Sequence, residues 1–152
     1  MKLSQHFSLS EFTTSQTAAR YGLDNTPGDA EIENLRQLCN HILEPIRSHF
    51  EVPIIVSSGY RSVQVNTKVG GSGSSQHCKG EAADFTVAHY TVTEIFNWIA
   101  FTSGLEFDQL IHEYGNWIHC SYVTRRQNRR SILRAYRNSS GRTAYEQVTA
   151  PL

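Results

Sequence analysis

Apolar residues recur along the first third of the chain at the spacing of one helix face. Ile32, Leu35, Leu38, Cys39, Ile42 and Ile46 predict a long amphipathic helix, with Pro45 as the place where it kinks. Before it, Ser8-Leu-Ser-Glu11 has the form of a capping box and opens a short helix that stops near Gly22; Pro27 to Asp29 is a turn. The period then changes. Pro53-Ile-Ile-Val-Ser57 is a strand leading into Gly59-Tyr60-Arg61, and Val69 to Ser75 is a flexible loop within the domain. In the next strand, from Ala82 to Val87, Ala82, Asp84 and Thr86 share one face while Ala83, Phe85 and Val87 share the other. Thr91-Val-Thr-Glu94 starts another helix through Phe96, Trp98 and Ile99, ending at Gly104. Gln109 to Glu113 and Trp117 to Tyr122 form a hairpin about Tyr114-Gly115-Asn116, and Ile132 to Tyr136 is a last strand. The pattern predicts an α+β fold, with helices packed on a small, mainly antiparallel sheet, and no internal repeats.

Composition narrows the class. At 152 residues the chain is long enough for a self-sufficient core, and one domain over residues 1–152 is the natural count. The amino terminus lacks an apolar run, so synthesis in the cytoplasm without a signal peptide is expected, and no stretch is long enough to span a bilayer. Three cysteines, an odd number, argue against a disulfide framework. The net charge of zero hides an asymmetry: Arg125, Arg126, Arg129, Arg130, Arg134, Arg137 and Arg142 are half of the 14 basic residues, with no acid between Thr124 and Arg142. Such a cluster either holds an anionic cell-wall polymer or forms a solvated face with ion pairs to acids of the first half. No base-reading motif accompanies it, so nucleic acid is not the expected partner.

Candidate chemistry lies in Ser75-Gln-His77-Cys-Lys-Gly80-Glu-Ala82-Ala-Asp84 and in Trp117-Ile-His119. Two neutral imidazoles and one carboxylate give a cation three protein ligands and leave a fourth tetrahedral position for water, as catalytic zinc requires. Asp84 sits in an apolar strand, where a carboxylate needs something positive to offset its desolvation, and the nearest basic residue, Lys79, is in the loop. Ala82 leaves room beside that carboxylate, and Gly80 lets the loop turn His77 back over the strand end. Cys120 should point to the opposite face from His119, and Cys78 is a bystander. His6, His41, His49 and His89, scattered and without partners at useful spacing, are read as packed core residues.

The complete S-x-H-x-x-G-x-A-x-D run at Ser75, His77, Gly80, Ala82 and Asp84 resembles the peptidase M15 family, the zinc D-Ala-D-Ala peptidases and phage endolysins. Ser58-Gly59-Tyr60-Arg61-Ser62, Asn66, Gly70-Gly71 and the opening Phe7-Ser-Leu-Ser-Glu11-Phe12 extend the likeness over most of the chain, in the form of the short single-domain branch. The resemblance implies a hedgehog/DD-peptidase-like fold with one zinc ion per chain on His77, Asp84 and His119. It implies hydrolysis of a bond in peptidoglycan stem peptides, by a D-Ala-D-Ala carboxypeptidase or an L-Ala-D-Glu endopeptidase. It also implies that Arg61 binds a substrate carboxylate, which a guanidinium can grip bidentately. Ser75 is expected to contact substrate or orient the His77 loop. The expected setting is phage or prophage lysis, acting as a monomer on the wall after release.

The general base is where the sequence departs from the family's E-x-x-H form, since Asn116 stands three before His119. A three-residue hairpin loop sets Glu113 opposite Trp117 and Ile111 opposite His119, placing Glu113 on the face of His119 as the preferred base. A two-residue Gly115-Asn116 loop instead sets His112 opposite His119 and turns Glu113 away. The competing class is a non-catalytic, zinc-stabilised wall-binding protein. A nucleic-acid-binding domain built on the arginines is a third, and predicts salt-sensitive DNA binding indifferent to chelator.

Overall fold

The computed structural model describes residues 1–152. Its centre is a six-stranded sheet in the order β1-β2-β4-β3-β5-β6: β1 Ile54–Ser58, β2 Ala82–Val87, β3 Gln109–Glu113, β4 Trp117–Ser121, β5 Ser131–Arg137 and β6 Thr143–Gln147. All neighbours are antiparallel except β3 and β5. The mainly antiparallel α+β architecture expected from the pattern is therefore present. No helix is long and apolar enough to cross a membrane.

The alternation in β2 divides the sheet into two faces. Ala83, Phe85 and Val87 join Leu110, Ile118 and Cys120 in the core, beneath the helices. The opposite face carries Asp84 and, across the ladder, His119. The long predicted helix is present from Asp29 to Phe50, but in three parts: α3 Asp29–Leu38, a π turn Cys39–Leu43 and α4 Glu44–Phe50. Pro45 explains the interruption. It lacks an N–H, and its ring would press on the carbonyl four residues back. The wider turn, with the Glu44 N–H donating to the Cys39 carbonyl, relieves that conflict without breaking the buried stripe of Leu35, Leu38, Ile42 and Ile46.

Other expectations need correction. The amino-terminal helix is two short ones, α1 Ser10–Thr13 and α2 Gln16–Tyr21, because Thr14 and Ser15 are extended and Ser15 caps the second. A helix α5, Val63–Lys68, capped by Ser62, lies between β1 and the loop, where no element was foreseen. Ile132 to Tyr136 is a strand but not the last, since β6 follows and closes the sheet edge. The helix begun by the Thr91–Glu94 capping box is α6, Val92–Phe101, as expected. His6, His41, His49 and His89 are exposed and not core: His6 pairs with Glu44, His41 stacks on Tyr122, and His49 stacks on Trp98.

The arginine-rich stretch connects β4 to β5 and must cross the start of β3, because β5 pairs with β3 rather than with β4. There it covers Asp108, which is fully buried. The Asp108 carboxylate accepts hydrogen bonds from the side chains of Arg126, Arg129 and Gln76 and from the Arg129 N–H, at 2.7–3.1 Å. Arg125 grips the buried Glu81 through two bonds of 3.0 and 3.2 Å. Arg125, Arg126 and Arg129 thus form ion pairs, as the second reading expected, but with Glu81 and Asp108 of the second half of the chain rather than with acids of the first half.

Burial would raise the Asp108 carboxyl, but its arginine partners override this and hold it well below the usual range. A depressed folded pKa contributes stability that is complete above the unfolded value of about 3.9 and is lost as pH falls through the folded value. Asp108→Asn should therefore destabilise the neutral-pH protein by on the order of 3 kcal/mol, the scale for breaking a buried ion pair. The gap in melting temperature between the two proteins should be constant above about pH 5 and narrow as pH drops below about 4. A gap that does not narrow would contradict this role.

Candidate metal centre and cleft

His77, Asp84 and His119 reach one point from three different pieces of chain. His77 lies in a 3-10 turn, Gln76–Lys79, that Ser75 caps by accepting the His77 N–H at 3.2 Å. Gly80 ends that turn at φ +72°, and a Cβ there would lie 2.4 Å from the Glu31 carbonyl oxygen, so only glycine permits the loop to sit against α3. Asp84 and His119 are register partners on β2 and β4. The ligand atoms of the three residues lie within 4.8 Å of one another. Asp84 Oδ1 is 2.9 Å from His119 Nδ1 and 3.4 Å from His77 Nε2.

The surroundings suit a cation. His77 is buried, and its Nδ1–H donates to the Gly59 carbonyl at 2.7 Å, which orients the ring with Nε2 toward Asp84. Burial by itself would raise the Asp84 carboxyl, but hydrogen bonds from His119 and His77 outweigh it and hold the group well below the carboxylate range. Two imidazole nitrogens and an ionised oxygen are a donor set that fits zinc and related divalent ions. The cysteines do not join it. Cys120 is buried in the core on the far face of β4, and burial pushes the Cys78 thiol upward, away from the thiolate form.

The hairpin settles the register left open by the sequence. Glu113 faces Trp117 and Ile111 faces His119. Tyr114 and Gly115 both take positive φ, at 59° and 75°, and the Asn116 N–H donates to the Glu113 carbonyl at 2.9 Å. Asn116 is thus an extra residue after a tight turn of the I′ kind, and it puts Glu113 on the His119 face. Burial raises the Glu113 carboxyl, as does the Asp84 charge, against a lowering by His119. His112, the alternative base, points the other way. It is buried against Phe96, with its Nε2 at 2.9 Å from Thr93 Oγ1.

A cleft of about 600 Å³ opens over this face, lined among others by the triad, Glu113, Arg61 and Ser75. Every site residue anticipated from the sequence is therefore in one place. Arg61 makes a single long bond, to Ser75 Oγ at 3.4 Å, and its buried Nε has no partner. A guanidinium so underused is unusual and available to an incoming acceptor. Arg126, Arg129 and Tyr145 are further walls of the cleft that no sequence motif marked. Tyr145 comes from the unforeseen β6, and the two arginines could have been found only by recognising Asp108 as the buried acid they serve.

A family model described as Peptidase M15 matches residues 5–121. No curated protein matches the chain. The chain belongs to the peptidase M15 family.

Proposed function

We propose that this M15 peptidase is a zinc-dependent hydrolase of peptidoglycan stem peptides, cutting as a D-Ala-D-Ala carboxypeptidase or an L-Ala-D-Glu endopeptidase in a phage or prophage type of wall lysis. The observation that carries the reading is the convergence, in one cleft, of the His77–Asp84–His119 triad with Glu113 beside it and Arg61 under-bonded across it. Zinc, when bound, supplies Lewis acidity and a water of lowered pKa. Glu113 is the proton carrier: a half-buried carboxyl with a raised pKa takes up a proton readily and can release it to the leaving amine. Arg61 anchors a substrate carboxylate through its unpaired N–H groups. Ser75, whose oxygen already accepts from the His77 N–H and from Arg61, holds these two in fixed relation and keeps its own O–H for the substrate.

A wall-binding protein stabilised by zinc would need the triad but neither Glu113 nor an unsatisfied Arg61. Mass spectrometry of purified peptidoglycan incubated with the zinc-loaded protein separates the two. Released D-alanine or severed L-Ala-D-Glu bonds are expected, and unchanged muropeptides would sink the proposal.

Glu113→Gln should lower turnover by about 10²–10⁴-fold, the usual worth of positioned acid–base catalysis, with zinc content unchanged. Near-normal rates in this variant would remove Glu113 from its role. Arg61→Lys should raise the Michaelis constant by roughly tenfold or more for a peptide with the free carboxylate, the scale of a charge-assisted hydrogen bond. It should cost little further when that carboxylate is amidated. Equal losses on both peptides would make Arg61 a support for the loop instead.

A further inference from the structure

Arg126 and Arg129 lie beyond the residues that the family model matches, yet they line the same cleft as the triad. One carboxylate, Asp108, serves both, so one positive charge of the pair is left uncompensated. Of the five N–H groups each guanidinium carries, Arg126 commits three, to Asp108 and the Gln127 carbonyl, and Arg129 commits two, both to Asp108. The remainder have no partner in the protein. The side chains are 35% and 52% exposed, on a carboxylate that is itself fully buried. The donors are thus held in place before any ligand arrives, which removes most of the ordering cost of binding.

Their position along the sheet is defined by the ladder. Glu113 lies at the hairpin end of β3, Ile111 is level with His119, and Asp108 precedes the opposite end. At a strand rise of about 3.3 Å per residue, Asp108 is roughly 10 Å from the level of the triad, on the side away from Glu113. Two or three residues of extended peptide span that length. Gln76, the neighbour of both Ser75 and His77, also bonds Asp108 at 2.9 Å, so the metal-ligand loop and the arginine pair share one anchor.

We infer that Arg126 and Arg129, clamped by Asp108, form a second anion subsite that takes another free carboxylate of the peptide substrate, two or three residues from the bond at the triad. This rests on the stem-peptide reading and selects, among stem peptides, those whose interior carboxylate is not amidated. The subsite is a specificity element; it takes no part in proton transfer.

Two synthetic stem peptides that differ only in whether an interior carboxylate is free or amidated provide the test. Their binding is measured by calorimetry on the zinc-loaded Glu113→Gln protein and their hydrolysis on the zinc-loaded wild type. The free acid should bind roughly tenfold or more tightly, the scale of one charge-assisted hydrogen bond. Arg126→Ala and Arg129→Ala, made singly so that each leaves Asp108 one guanidinium, should erase most of that preference while affinity for the amidated peptide stays within about twofold. Arg129→Lys guards against misfolding: it keeps charge on Asp108 but loses the fork, and should retain only part of the preference. Preference unchanged in both alanine variants would overturn the subsite while leaving the peptidase reading intact. An arginine-dependent preference without hydrolysis by the wild type would uphold the subsite and overturn the peptidase. Failure of both peptides to bind or to be hydrolysed would overturn both.

Discussion

A carboxylate on the face of an inner strand, flanked by apolar residues, is the constraint on which the rest of the site depends. Asp84 cannot be ionised there without positive or hydrogen-bonding partners, because the desolvation of an isolated charge exceeds what packing returns. The partners are two imidazoles, at 2.9 and 3.4 Å from one oxygen. One imidazole comes from the paired strand and the other from a turn held down by Gly80 against α3. The aligned carboxylate and ring nitrogens follow from this requirement, and so does a place for a divalent cation.

The same rule operates a second time at Asp108, where the cost of burial is met by arginines rather than histidines. Here the connection from β4 to β5 has to pass over the beginning of β3, and the buried acid fixes its path. Two carboxylates, Asp84 in β2 and Asp108 just before β3, therefore each draw cationic or hydrogen-bonding partners that line the cleft. The core lies on the other side, where Phe85, Leu110 and Ile118 pack beneath α3, α4 and α6.

Much of this was legible in the sequence because period and chemistry agreed. The two-residue alternation in β2 separates Asp84 from Phe85 in the sequence itself, and the spacing from His77 to Asp84 across Gly80 points to a turn meeting a strand. The elements that escaped did so for physical reasons. β6, Thr143–Gln147, is a mostly exposed edge strand with little apolar patterning to mark it. The helix α5 is too short for a periodic signal, and its start depends on the Ser62 cap. The π turn is a local answer to Pro45 that a regular helical period cannot express. The arginine pairs were hidden because their partners, Glu81 and Asp108, are distant in sequence and a charge run on its own does not say what it faces. The hairpin register hung on one extra residue, Asn116, and both loop lengths were compatible with the residues at the turn.

On the function proposed above, His77, Asp84 and His119 together hold the metal on which the chemistry depends. X-ray absorption at the zinc edge, on protein loaded with one equivalent of zinc, examines the bonded atoms themselves. The expected shell is two imidazole nitrogens and oxygen donors near 2.0–2.2 Å, with no sulfur. A sulfur scatterer near 2.3 Å, from Cys78 or Cys120, or a shell with a single imidazole, would contradict it.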